Sequence, residues 1–129
     1  MNTKEITLCG KPVMLAYCYA TEISYKILSD QELTDFMTEA IEKLTNKQMP
    51  DIRKTIYLII AAMSSYYESK GEEAPVTDKE LLYNASPEEI GNALGEIIVL
   101  RSSFYHVPTG EPEEKEPKGK RVSGKRKNV

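Results

Sequence analysis

The longest uncharged stretch of the chain runs from Thr55 to Tyr67. Inside it, Ile56-Tyr57-Leu58-Ile59-Ile60-Ala61-Ala62-Met63 carries neither a charge nor a helix breaker. A surface helix needs one apolar stripe, whereas a helix that is apolar nearly all round is buried on most sides. The pattern predicts a central helix over residues 50–70, with Pro50 in its first turn, Lys70 in its last and Gly71 just past its end. The uncharged run of 13 residues is shorter than the ~20 a membrane span needs, so a core helix is the expectation.

Upstream the period changes from helical to alternating. Residues 4–8 and 12–19 read as two strands joined by a tight turn at Gly10-Lys11. A two-residue loop there pairs Cys9 with Pro12, Leu8 with Val13, Ile6 with Leu15 and Lys4 with Tyr17. Ile6, Leu8, Val13, Leu15 and Tyr17 then share one face, with Thr7, Met14 and Ala16 on the other. A lone hairpin is marginal in water, so that apolar face must lie on helices or on another subunit. Residues 20–28 read as a short helix, with Thr21 as its cap and Ile23, Ile27 and Leu28 inward. Ser29 and Glu32 have capping-box spacing and open a helix over 30–45, with Leu33, Phe36, Met37, Ala40, Ile41 and Leu44 at steps of three and four.

Beyond the central helix, Thr77/Glu80 and Ser86/Glu89 repeat the capping-box spacing. They predict helices over 78–85, with Leu81 and Leu82 inward, and over 87–105, where Pro87 suits the first turn. Ile90, Leu94, Ile97, Ile98 and Phe104 give the last helix its apolar face, broadened by Val99 and Leu100. Gly91 and Gly95, four apart, suggest close packing on the central helix or a dimer contact. From Pro108 the composition turns to Pro, Gly, Glu, Lys and Arg, and residues 108–129 read as a disordered basic tail. The expected fold is mostly helical α+β: an N-terminal hairpin packed on a bundle of four to five helices, forming a single globular domain over 1–107.

Charge sharpens this division. Residues 1–107 carry 10 Lys and Arg against 16 Asp and Glu, a net of −6, and residues 108–129 carry 7 against 4, a net of +3. An acidic body does not favour nucleic acid. The tail residues Lys118, Lys120, Arg121, Lys125, Arg126 and Lys127 could hold nucleic acid or an acidic partner, or simply keep the chain soluble.

Catalytic chemistry is poorly provided for. Cys9 and Cys18 are the only cysteines; the hairpin register sets them far apart, so two free thiols in a reducing cytoplasm are expected. His106 is the only histidine, at the fraying end of the last helix, with no nucleophile or orienting acid to place beside it. Glu72-Glu73 and Glu88-Glu89 belong to a loop and a helix cap, where solvated carboxylates are ordinary. No metal, cofactor or enzymatic activity is expected. The methionines and the eight tyrosines point instead to core edges and to adaptable apolar contact. The Ile6/Leu8/Val13/Leu15/Tyr17 face and the Tyr66/Tyr67 end of the central helix are the candidate partner-binding residues.

The order strand, Gly turn, strand in Ile6-Thr7-Leu8-Cys9-Gly10-Lys11-Pro12-Val13-Met14-Leu15, followed at once by Ala20-Thr21-Glu22 and an acid-rich amphipathic helix, resembles the tail assembly chaperones of long-tailed bacteriophages and prophages. The likeness is one of layout over residues 4–105, and no family motif allows functional residues to be carried over. The resemblance implies a non-enzymatic protein of the bacterial host cytoplasm, absent from the mature virion. Its partners would be the tape-measure protein, whose apolar helical segments it keeps soluble, and the tail-tube protein. The alternative is a nucleic-acid-associated regulatory or packaging accessory protein anchored by its basic tail. A homo-oligomer is compatible with either reading.

Overall fold

The structure, a computed structural model, describes residues 2–106. The elements follow the order β1 (Asn2–Leu8), β2 (Lys11–Tyr17), α1 (Tyr19–Ser29), α2 (Leu33–Thr45), α3 (Ile52–Ser69), α4 (Asp78–Asn84) and α5 (Pro87–Tyr105). The architecture is the expected one, a two-stranded antiparallel hairpin on five helices. The tail predicted over 108–129 lies outside the described residues.

The hairpin differs in its turn. The loop is Cys9-Gly10, not Gly10-Lys11, with φ of +53° and +76°. Two-residue hairpin loops favour turns with two consecutive left-handed residues, and Gly takes the second position without strain. The ladder therefore runs from Asn2↔Tyr17 through Ile6↔Val13 to Leu8↔Lys11, two residues away from the expected pairing. Side chains alternate with a period of two, so a slip of two leaves every side chain on its expected face. Ile6, Leu8, Val13, Leu15 and Tyr17 do share one face, and all five are buried. Ala16, expected on the outer face, is buried as well, because α3 and α1 also pack against β2.

The central helix is α3, which packs against β2, α1, α5 and α4. Thr55, Ile56, Leu58, Ile59, Ala61, Ala62, Met63 and Ser65 are its buried residues. It starts later than Pro50: Asp51 is the cap, accepting from the Lys54 N–H at 3.0 Å, and Gly71 takes the left-handed position after its end. That hydrogen bond also holds the Asp51 carboxyl below the usual carboxylate range. The Thr77/Glu80 and Ser86/Glu89 capping boxes form as the spacing predicts. The one at Ser29/Glu32 does not. The Ser29 hydroxyl donates to the Tyr25 carbonyl and accepts from the Gln31 N–H, so it closes α1, and Glu32 is the residue before α2.

Four more packing expectations are corrected. Leu81 is buried on α4 but Leu82 is exposed, and Val99 on α5 is exposed although Leu100 beside it is buried. On α2, Ile41 and Leu44 lie at the exposed edge of a stripe whose buried members are Leu33, Phe36, Met37 and Ala40. Gly91 and Gly95 make no close approach: a Cβ on either would meet nothing within 4 Å. The two glycines lie on the outward side of α5.

Candidate binding surface

Helix α1 faces the opposite way from its predicted orientation. Its buried residues are Thr21 and Tyr25, while Ile23 and Ile27 stand in solvent at 61% and 77% exposure, and Leu28 is exposed too. The cause lies in α3, where Ala61, Ala62 and Ser65 present a small-residue surface. Thr21 is short enough to meet it, and its hydroxyl lies 2.7 Å from that of Ser65. The same hydroxyl donates to the Ala16 carbonyl at 3.1 Å and accepts from the Cys18 N–H at 3.2 Å. It thus ties the end of β2 to the start of α1, acting at the third helical position rather than as the cap. Buried backbone groups must find partners, and an isoleucine in this place would leave them without one. Tyr25 packs its ring on Phe36 of α2, and burial pushes its phenol up to about 12.

With Thr21 and Tyr25 inward, Tyr19, Ile23 and Ile27 form one outward ridge. Residues four apart lie nearly above one another, so this ridge covers two turns, about 12 Å. Tyr19 continues it onto the end of α5. Its ring meets Phe104 edge-on at 5.1 Å, and Phe104 meets Tyr105 at 5.0 Å. The apolar surface therefore runs from Tyr105 through Phe104 and Tyr19 to Ile23 and Ile27. Tyr19 is 65% exposed. A shallow groove of about 320 Å³ along its flank is lined by Glu22, Ile23, Lys26, Ile27 and Glu32.

The joint between α1 and α5 is polar underneath. Glu22 accepts from the Tyr17 hydroxyl at 2.7 Å and also from the Tyr105 hydroxyl. The Glu22 hydrogen bond and burial push the Tyr105 phenol up to about 12; burial, with Glu22 second, raises that of Tyr17. Arg101 lies over the Tyr105 ring at 5.5 Å, and its buried Nε has no hydrogen-bond partner among the described residues. Lys26 pairs with Glu32 at 3.4 Å.

The residues expected to contact a partner are placed otherwise. Ile6, Leu8, Val13, Leu15 and Tyr17 are 0–6% exposed beneath α3 and α5, which removes them as an accessible surface; the helices supply the cover that a lone hairpin lacks. Tyr66 and Tyr67 are half-buried. The Tyr67 hydroxyl accepts the Met14 N–H at 3.0 Å, and Lys70 lies over the Tyr66 ring. Tyr67 thus covers the edge of β2, and Tyr66 stands edge-on against the Tyr67 ring with the centroids 4.8 Å apart. The basic residues Lys118, Lys120, Arg121, Lys125, Arg126 and Lys127 lie outside the described residues.

The other candidate groups serve the scaffold. Glu89 accepts from the Cys9 and Gly10 N–H groups at 3.0 and 3.2 Å as well as from Ser86, so one carboxylate clasps the hairpin turn to the start of α5. Those N–H groups, Ser86 foremost, hold its carboxyl below the usual range. The Cys9 thiol donates to the Glu80 carbonyl, and burial, with Glu89 and Glu80 nearby, pushes it up; a thiol so placed is a poor nucleophile. Cys9 and Cys18 are both free. Among the described residues no three His, Cys, Asp or Glu side chains converge as a metal site, and no helix is long and apolar enough to cross a membrane. No protein-family model, curated protein or solved structure matches the chain.

Proposed function

We propose that this protein is a holding chaperone that binds an apolar helical segment of another protein along α1, and that its client is the tape-measure protein of a long-tailed phage or prophage. The observation that carries the reading is the ridge of Tyr19, Ile23 and Ile27, three large apolar side chains turned outward on a helix whose inward face is already satisfied. Singly exposed apolar residues are ordinary, but a ridge continuous with Phe104 and Tyr105 is a patch with a direction. A client helix laid along it would supply its own apolar stripe, the helix-in-groove mode of recognition.

The size of the patch suits reversible holding. Burying one large apolar side chain is worth about 1.5–3 kcal/mol, and association costs roughly 4–15 kcal/mol in lost freedom. Three to five such side chains leave a weak complex that gives way when a permanent partner, such as polymerising tail-tube protein, competes. The acidic body, −6 over residues 1–107, keeps a greasy complex soluble through mutual repulsion. The client is proposed from the resemblance of this layout to that of the phage chaperones, and the same resemblance would make this chain a host-cytoplasmic protein lost before the virion matures.

Co-expression tests it. The intact chain is expected to raise the soluble yield of the tape-measure protein encoded nearby, and the double variant Ile23→Ser/Ile27→Ser to lose that effect while staying folded. If the intact chain leaves the client's solubility unchanged, the client assignment is wrong. If the double variant still holds the client, α1 is not the surface.

A further inference from the structure

The two edges of the hairpin are treated differently. On β2 the outward backbone positions are Pro12, Met14 and Ala16, and at each of them one of the two backbone groups is missing or taken. Pro12 has no N–H to offer, the Met14 N–H goes to the Tyr67 hydroxyl, and the Ala16 carbonyl takes the Thr21 hydroxyl. The pairings Thr7↔Pro12, Glu5↔Met14 and Thr3↔Ala16 then make Thr3, Glu5 and Thr7 the outward positions of β1. All three are exposed, and among the described residues none of their backbone groups has a partner beyond β2's ladder. The register runs unbroken over all seven residues, with no bulge and no proline on β1. Proteins ordinarily blunt such an edge; here β2 carries Pro12 and two side-chain contacts, whereas β1 carries only the exposed charges of Lys4 and Glu5 and keeps its outward backbone groups open.

We propose that the edge of β1 is a docking site for an extended segment of another protein, added as a third, antiparallel strand with Lys or Arg opposite Glu5. The row of alternate N–H and C=O groups specifies a peptide backbone as the ligand. Glu5 specifies the charge, with Thr3 and Thr7 on its solvent face asking for threonine or another β-branched neighbour. A second copy of the chain fits poorly. Antiparallel pairing centred on Glu5 sets Glu5 against its own copy, and pairing centred on Lys4 sets lysine against lysine; like charges directly opposite are destabilising. Pairing centred on Ile6 avoids this but leaves Thr3 outside the ladder. The site uses none of the side chains of the α1 ridge and does not depend on the chaperone reading.

The test uses the intact protein and the synthetic peptide Val-Thr-Val-Lys-Val-Thr-Val, with a control carrying Glu at its centre. The lysine peptide is expected to bind saturably, roughly fivefold tighter than the control, and to protect the Thr3, Glu5 and Thr7 amides from hydrogen exchange. Glu5→Lys should invert the preference between the two peptides. Glu5→Pro, which removes an outward N–H as Pro12 does across the ladder, should abolish binding with the thermal melt retained; if that variant unfolds, the inversion by Glu5→Lys decides. No binding of either peptide at millimolar concentration, protection mapped to α1 instead, or β1-dependent self-association of the intact chain in sedimentation overturns the proposal.

Discussion

The hairpin face and the outer face of α1 carry the same kind of residue and meet opposite fates. Ile6, Leu8, Val13, Leu15 and Tyr17 alternate along two strands and are sealed under helices; Tyr19, Ile23 and Ile27 recur every four residues and stand in water. Periodicity identifies which residues share a face. It does not say which face is covered, because that depends on what the neighbouring element offers. The hairpin has a single apolar side, and α3 and α5 close on it. Helix α1 has two candidate sides, and the small residues of α3 choose the one with Thr21, whose hydroxyl can satisfy the Ala16 carbonyl and the Cys18 N–H.

The strongest way to break this comparison is to truncate the hairpin side. Leu15→Ala removes a fully buried side chain and should cost about 2–5 kcal/mol in denaturant unfolding. A loss below ~0.5 kcal/mol would return the hairpin to the list of surfaces. Thr21→Val comes next. It keeps the volume but leaves the Ala16 carbonyl and the Cys18 N–H without the hydroxyl, an expected loss of about 1–3 kcal/mol. A neutral or stabilising result would mean that α1 chose its inward face for shape alone.

Much of the architecture was legible from the chain. The uncharged core of α3, the Thr77/Glu80 and Ser86/Glu89 boxes and the left-handed Gly71 each have a local physical cause, and local causes are what a sequence displays. The hairpin turn lies one residue earlier than the spacing predicts because Cys9 is an unremarkable first residue for such a loop, and the apolar face is unchanged because the resulting slip is even. The proposed binding surface is the least legible part. Ile23 and Ile27 look like core to any rule that counts apolar residues; the signal against them was the Ala61-Ala62-Ser65 run on another helix, and its meaning requires knowing that α1 crosses there. The glycines misled for the converse reason, since small residues mark close contacts only where something stands opposite.

Gly91 and Gly95 sharpen the point from the stabilising side. Both sit inside α5 with open space where a Cβ would go, so alanine at each should add about 1 kcal/mol through helix propensity alone. A raised melting temperature for Gly91→Ala and Gly95→Ala supports an outward face with nothing against it. A loss at either would reveal a contact, in solution, that the isolated chain does not show.

Acid probes the clasp that holds the hairpin face shut. Glu89 has its carboxyl below the usual range in the folded protein, so its contribution is complete above the unfolded value of about 4.3 and is lost as pH falls through the folded value. Glu89→Gln should therefore cost about 1 kcal/mol near neutrality and progressively less below about pH 4. Unfolding curves for the two proteins at several pH values check this. A gap that persists unchanged in acid would show that the glutamine disturbs packing rather than the charge-assisted bonds to Cys9 and Gly10.

The smallest stability effect is expected where the functional effect is largest. Ile23→Ser/Ile27→Ser places polar groups on side chains already 61% and 77% exposed, so unfolding free energy should move by no more than about 0.5 kcal/mol. Isoleucine and serine have similar helix propensities, so the little apolar area the two side chains still bury sets the direction as slightly destabilising. The same change removes the centre of the apolar ridge and should reduce non-specific dye binding and client holding together. A loss of several kcal/mol instead would mean that something covers α1 in the free protein, a second copy or a segment beyond His106, and that its ridge is a closed interface rather than an open one. Coupled with Leu15→Ala, the double variant divides apolar residues the chain needs in order to fold from those proposed to hold another molecule.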